Sequence, residues 1–315
     1  MSIHHPEIVV TSRIPPFLTT GLQEKYVVHE RDHIRDRQVF GRVRALVGGG
    51  ESKIDASYMA LFPALEMISV CGVGYDGIDV AAAKKRGIMV SHTPEVLNDD
   101  VADLALGLLL AVARKIPAAD RFTRNADWLD GPFPLTRKLT GAKLGIVGMG
   151  RIGQGIAKRA AHGFGMRVIY HNRSRLSTDL ETACKATYVG KEELLRTADH
   201  VMLVVPYSAE SHHTIGAKEL SCMKPSATLV NIARGGIIDD AALANALAAG
   251  QIAAAGLDVF EGEAHLNPRF LALPNVLLQP HHASGTVETR RAMGQMMRDN
   301  LTAHFAGQPL LTPVI

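Results

Sequence analysis

The stretch KLGIVGMGRIGQGIAKRAAHGFG constrains this chain more than any other. Three glycines, Gly148, Gly150 and Gly153, stand in G-x-G-x-x-G spacing between an apolar run and a helical pattern. A strand that turns sharply into a helix needs each for its own reason. The first permits the tight turn, the second lets the backbone approach a pyrophosphate, and the third allows close helix-to-strand packing. The N–H groups of Arg151 and Ile152 then head the helix, where the dipole favours an anion. The flanking strand and helix turn a weak glycine pattern into a specific dinucleotide-binding signal.

Around this turn, short aliphatic runs alternate with helical stretches over almost the whole chain, the pattern of parallel α/β architecture. With 315 residues, the chain exceeds the roughly 100 to 200 of one domain, so two domains sharing a cleft are expected. Ile8 to Val10, Arg44 to Gly48, Met67 to Val70 and Ile88 to Ser91 read as buried strands of a small flavodoxin-like domain. Six further runs, LGIV, RVIYH, HVMLVV, ATLVNI, AAAGL and VLLQ, suit a doubly wound dinucleotide domain. Between the two sets, the segment from Thr93 reads as one long helix starting near Asp99. Its wide apolar surface predicts burial between domains or between subunits. A last helix runs from about Thr286 to Phe305. The expected fold is two-domain α/β, a Rossmann dinucleotide-binding domain inserted into a flavodoxin-like substrate-binding domain. Residues 1–98 and 286–315 form the substrate domain, and 99–285 the cofactor domain with its long dimerisation helix.

A formal net charge of +3 is too small to imply a polyanion partner, which argues against nucleic acid. Cys71, Cys184 and Cys222 stand far apart without C-x-x-C spacing, so they read as small buried hydrophobes. The N-terminal stretch MSIHHPEIVVTSRIPPF lacks a long apolar core and a cleavage pattern, and the run from Ala102 to Ala113 is too short to span a bilayer. A soluble cytoplasmic protein is expected, with no membrane partner.

An adenosine ribose is read at the end of the strand after the glycine turn, where a carboxylate accepts its hydroxyl hydrogen bonds. Here RVIYHNRSR has none: Asn172, Arg173 and Ser174 occupy the place, and Asp179 comes too late. A guanidinium and a hydroxyl suit a 2′-phosphate, so NADP(H) is favoured over NAD(H). Three later strand ends each deliver one ionisable group: Arg234 after ATLVNIA, Glu263 after AGLDVFEGE and His281 after VLLQP. Ligands of open α/β sheets bind at such ends. Arginine can hold a 2-oxo acid, histidine exchanges a proton near neutral pH, and a carboxylate beside the imidazole favours its protonated form. The pairs His4/His5 and His212/His213 lack a third ligand at suitable spacing and read as solvated loops; no metal is expected.

At these residues the chain resembles the D-isomer-specific 2-hydroxyacid dehydrogenase family over essentially its whole length. NIARGG is similar to the family's substrate-arginine motif, GLDVFEGE to its carboxylate motif, QPHHASGTVETR to its histidine motif and GVGYDGID to its substrate loop. The resemblance implies that Arg234, Glu263 and His281 are catalytic and that the backbone of Val73 and Gly74 grips the substrate carboxylate. It implies cofactor contacts also at Val205, Pro206, Ile232, Ala233 and Asp258. TPEVLNDDVADLA with HNRS looks most like the NADPH-preferring glyoxylate/hydroxypyruvate reductase branch. Ala264 replaces the usual proline after the glutamate, and His282 stands where a small aliphatic residue is common. The expected activity is reduction of small 2-oxo acids to D-2-hydroxy acids with NADPH by a homodimer, NADH being less favoured. A 2-ketogluconate reductase and a non-catalytic NAD(P)-sensing binding protein are the alternatives. Trp128, the single tryptophan, either reaches a neighbouring subunit's active site or packs locally.

Overall fold

The computed structural model describes residues 5–12 and 14–315. Residues 1–4 and Arg13, part of the N-terminal stretch read above for a signal segment, lie outside the described residues. The chain divides into two compact units, one running to Leu97 and resumed at Ser284–Ile315, the other Asn98–Ala283. Among the described residues no helix is long and apolar enough to cross a membrane.

The first unit is built on five parallel strands, β1 (Glu7–Val10), β2 (Val27–Glu30), β3 (Val43–Gly48), β4 (Met67–Val70) and β5 (Met89–Ser91). Their order, β2-β1-β3-β4-β5, is that of flavodoxin-like sheets. Every residue of β4 is buried, as a strand covered on both faces requires. Val9, Leu46, Met59, Phe62 and Ile68 form the centre of one core. The Val287–Phe305 helix packs on β4. It starts where Thr286 Oγ1 accepts the Thr289 N–H at 3.2 Å. Beyond it, the chain returns to the sheet: Val314 N–H donates to Val90 O at 2.7 Å, and the buried Asn300 accepts the amides of Leu311 and Thr312.

The second unit holds seven parallel strands, β6 (Lys143–Val147), β7 (Arg167–His171), β8 (Ala186–Tyr188), β9 (His200–Leu203), β10 (Thr228–Asn231), β11 (Ala254–Leu257) and β12 (Val276–Leu278). The order is β12-β11-β10-β9-β6-β7-β8. The order in which successive strands are added therefore reverses between β6 and β9, the switch point at which doubly wound sheets open a crevice. Seven strands stand where six were expected, because β8 is too short to leave a periodic signal.

The expected single long helix is two. One spans Asn98–Ala113 and the next Ile116–Arg124. Lys115 between them has φ +52°, and Pro117 removes an amide donor while crowding the helical turn before it. Part of the first helix's apolar surface is covered inside its own unit: Leu108 and Val112 lie over Gly256 of β11, and Ala102 over Gly155 of the Arg151–Lys158 helix. Both glycines leave room for the close approach. Arg159 ties the first helical turn down, donating to Asp99 and Asp103 at 2.8 and 2.6 Å.

Candidate active site

The glycine turn falls at the switch point. Gly148 has φ +100°, and a Cβ there would press on the Val204 carbonyl and the Val205 side chain. Gly153 packs against the Gly148 carbonyl. Gly150 differs: a Cβ built on it would meet no atom within 4 Å. The backbone is thus crowded beneath the turn and open above it. Gly150 is also the N-cap of the Arg151–Lys158 helix, whose first intrahelical bond runs from Gln154 N–H to Gly150 O at 2.9 Å. The amides of Arg151 and Ile152 precede that bond. An open cradle headed by helical amides fits a pyrophosphate.

At the end of β7, Asn172 Nδ2 donates to Ser174 O at 3.1 Å and folds the loop on itself. The two arginines there have different surroundings. Arg175 makes a bidentate pair with Glu181 at 2.9 and 2.8 Å, and Tyr170 Oη donates to the same carboxylate. The Arg175 pair and the Tyr170 hydroxyl together hold the Glu181 carboxyl below its ordinary range. Arg173 is 91% exposed and 3.8 Å from Glu210. Its guanidinium stands in solvent at the end of β7.

Four neighbouring parallel strands, β9 to β12, end side by side, and the loops that follow carry the acid–base groups. After β10, the buried Asn231 staples its own loop, accepting the Ala233 amide at 3.0 Å and donating to Arg234 O at 3.1 Å. Arg234 Nη1 donates to Ala233 O at 2.8 Å. Gly235 packs against the Phe260 carbonyl, where no side chain would fit. Phe260 in turn donates its amide to Glu263 Oε1 at 2.8 Å, leaving Oε2 to meet His281 Nδ1 at 2.7 Å. Burial alone would raise the Glu263 carboxyl. The hydrogen bond and charge of His281, the Phe260 amide and the charge of Arg234 outweigh it and hold the group below its ordinary value. His281 adopts φ +52°. Its loop is anchored by Asp258, fully buried, which accepts the amides of His282 and Ala283 at 2.9 and 3.0 Å.

The second unit therefore brings Arg234, Glu263 and His281 together, with Ile232 and Ala233 buried beneath them. Val205 and Pro206 follow β9 beside the glycine turn. Val73 and Gly74 belong to the first unit, where His92 Nδ1 lies 3.0 Å from Val73 O and Gly50 packs on the Gly74 carbonyl. Sequence reasoning missed Asn231 as the residue that fixes the Arg234 loop. It also gave Asp258 no structural part, although its carboxylate holds the histidine loop. His282 Nδ1 is buried without a hydrogen-bond partner, 3.5 Å from Asp258 Oδ1. His4 lies outside the described residues. The expected lack of a third ligand for His212/His213 is corrected by the fold, which sets Glu261 beside them, within 4.8 Å between donor atoms. Spacing could not show this, because Glu261 arrives from the loop after β11.

Residues 106–283 match the model of the D-isomer specific 2-hydroxyacid dehydrogenase NAD binding domain. Among curated relatives, the glyoxylate reductase of Thermococcus litoralis is 47% identical over 84% of this chain and 82% of its own length. The 2-ketogluconate reductase of Gluconobacter oxydans is 40% identical over 98% and 99%. Among solved structures, the NADPH-dependent glyoxylate/hydroxypyruvate reductase of Sinorhizobium meliloti, in complex with NADP and malonate, is 38% identical. It aligns over 98% of this chain and 97% of that one with a TM-score of 0.89. The chain belongs to the D-isomer specific 2-hydroxyacid dehydrogenase family, as the strand-end arginine, glutamate and histidine indicate.

Proposed function

We propose that this protein reduces small 2-oxo acids, glyoxylate and hydroxypyruvate first among them, to D-2-hydroxy acids with NADPH as the donor. The observation that carries this reading is the His281 Nδ1 to Glu263 Oε2 contact of 2.7 Å, with Arg234 close enough for its charge to act on Glu263. A binding protein that only senses a nucleotide has no use for an imidazole oriented in this way.

When bound, the reduced nicotinamide supplies hydride to C2 of the acid. The protein does the rest. Glu263, ionised throughout the neutral range, takes the Nδ1 proton of His281 in a hydrogen bond and stabilises the imidazolium. Nε2 is then the proton donor to the oxygen that becomes the hydroxyl. Arg234 holds the 2-oxo acid by its carboxylate and carbonyl, and the amides of Val73 and Gly74 carry carboxylate recognition in the same reading. Gly148, Gly150 and Gly153 with the amides of Arg151 and Ile152 take the pyrophosphate. Arg173, Asn172 and Ser174 take a 2′-phosphate, with Val205, Pro206, Ile232, Ala233 and Asp258 near the nicotinamide end. The absence of a ribose-binding carboxylate after β7 supports NADPH over NADH. We further place the protein in the cytoplasm as a homodimer.

The test is loss of NADPH absorbance with glyoxylate, hydroxypyruvate and 2-ketogluconate in turn, repeated with NADH. Turnover is expected to vanish in His281→Asn. In Arg173→Ala, KM for NADPH is expected to rise roughly tenfold or more, the worth of a charge-assisted hydrogen bond, with NADH little affected. Fastest turnover of 2-ketogluconate would favour a sugar-acid reductase, a reading supported by the Gluconobacter relative. Tight NADPH binding without turnover of any acid would overturn the enzymatic reading.

A further inference from the structure

We propose that His212, His213 and Glu261 form a binding site for one divalent transition-metal ion of the zinc type, separate from the acid–base pair. The inference does not depend on the substrate or cofactor assigned above. Three features of the cluster support it.

The donor set comes first. Two imidazoles and a carboxylate offer ligand atoms within 4.8 Å of one another. Zinc bonds of about 2.0–2.1 Å in a tetrahedron put donors about 3.3–3.5 Å apart, so a small side-chain closure completes the site. Nitrogen-rich donors of this kind select zinc, nickel or copper over magnesium and calcium, which take oxygen.

The second feature is the way the histidines are held. Adjacent residues on an extended chain point to opposite faces. Here His213 has φ +48°, and the two rings stack with centroids 3.8 Å apart and 22° between planes. The His213 amide donates to Gly236 O at 2.7 Å, fixing the backbone of the turn. Tyr207 Oη lies 3.2 Å from His212 Nδ1, the kind of outer partner that sets the tautomer of a ligating imidazole.

The third is charge. His213 Nε2 lies 3.3 and 3.2 Å from the two oxygens of Glu261, a contact that an ion would bridge. The Asp240 carboxylate accepts the Glu261 amide at 3.1 Å and adds negative charge at the base of the loop. His212 and Glu261 are exposed, which leaves room for water to complete the coordination. Occupancy joins the loop after β9 to the loop after β11, on either side of the one that carries Arg234.

Tag-free full-length protein, stripped with chelator and dialysed, is titrated with zinc against a chromophoric indicator, and its thermal midpoint is followed with and without zinc. One zinc per chain and a raised midpoint are expected. Removing one of three ligands in His212→Ala, His213→Ala or Glu261→Gln should weaken binding at least roughly tenfold. Glu261→Gln keeps the side-chain shape and guards against a folding artefact. His281→Asn should keep the ion. No zinc on the wild type, binding undiminished in all three cluster variants, or a loss confined to His281→Asn would each overturn the site.

Discussion

His281 and Glu263 work as one unit, and the division of labour between the two carboxylate oxygens explains how. Oε1 is occupied by the Phe260 amide, so only Oε2 is presented to the imidazole. Because its carboxyl is held below the ordinary range, Glu263 stays ionised well into acid, and the stabilisation it gives an imidazolium persists across neutral pH. In Glu263→Gln that stabilisation is lost. The alkaline limb of the reductase pH profile is then expected to move to lower pH. We also expect kcat to fall roughly 10²-fold. An unmoved pH profile would remove Glu263 from the role of positioning residue. Arg234, Glu263 and His281 were legible in the sequence because each follows an unmistakable strand. Asn231, Asp258 and Glu261 were not. Their roles depend on which loop each one meets after the strands are aligned, and that is a property of the assembled sheet rather than of local pattern.

At the scale of elements, the glycine turn separates folding from binding. Gly153 abuts the Gly148 carbonyl, whereas Gly150 faces open space. Gly150→Ala is therefore expected to fold with a thermal midpoint close to the wild type while losing affinity for the dinucleotide. Gly153→Ala should lower the midpoint by several degrees, since a methyl group there strains the strand-to-helix packing. Equal loss of stability in both variants would contradict this separation. The elements that sequence reading missed share one property. β2 and β8 are the outer strands of their sheets, with patterns that carry little continuous burial. An edge strand has one neighbour and is kept short or polar, so its hydrophobic period is weak. The split of the long helix at Lys115 was readable from Pro117. The continuous apolar run ahead of it hid the break.

At the scale of the whole molecule, the Asn98–Ala113 helix that first suggested a dimer covers part of its apolar surface within its own unit, and a second apolar feature also bears on assembly. Trp128, Leu129 and Leu135 are 69%, 88% and 99% exposed on one stretch between the Ile116–Arg124 helix and β6. Phe133 and Pro134 of that stretch also line a concavity of about 360 Å³ with Val112, Pro117, Val276 and Leu277. Exposed apolar residues gathered on one segment mark an interaction surface. Light scattering is expected to give twice the chain mass, and Leu135→Glu to shift the equilibrium towards single chains. A wild type that runs as single chains at every concentration would remove the homodimer.

The chain crosses between its two units twice, after Leu97 and after Ala283. This imposes an order on synthesis. Residues 98–283 are contiguous, so the unit that holds the acid–base groups can complete its sheet while Ser284–Ile315 is still to be made. The unit begun first finishes last. Until the Val287–Phe305 helix arrives, the face of β4 that it covers stays open to solvent, and a nascent chain in that state is a natural client for a chaperone.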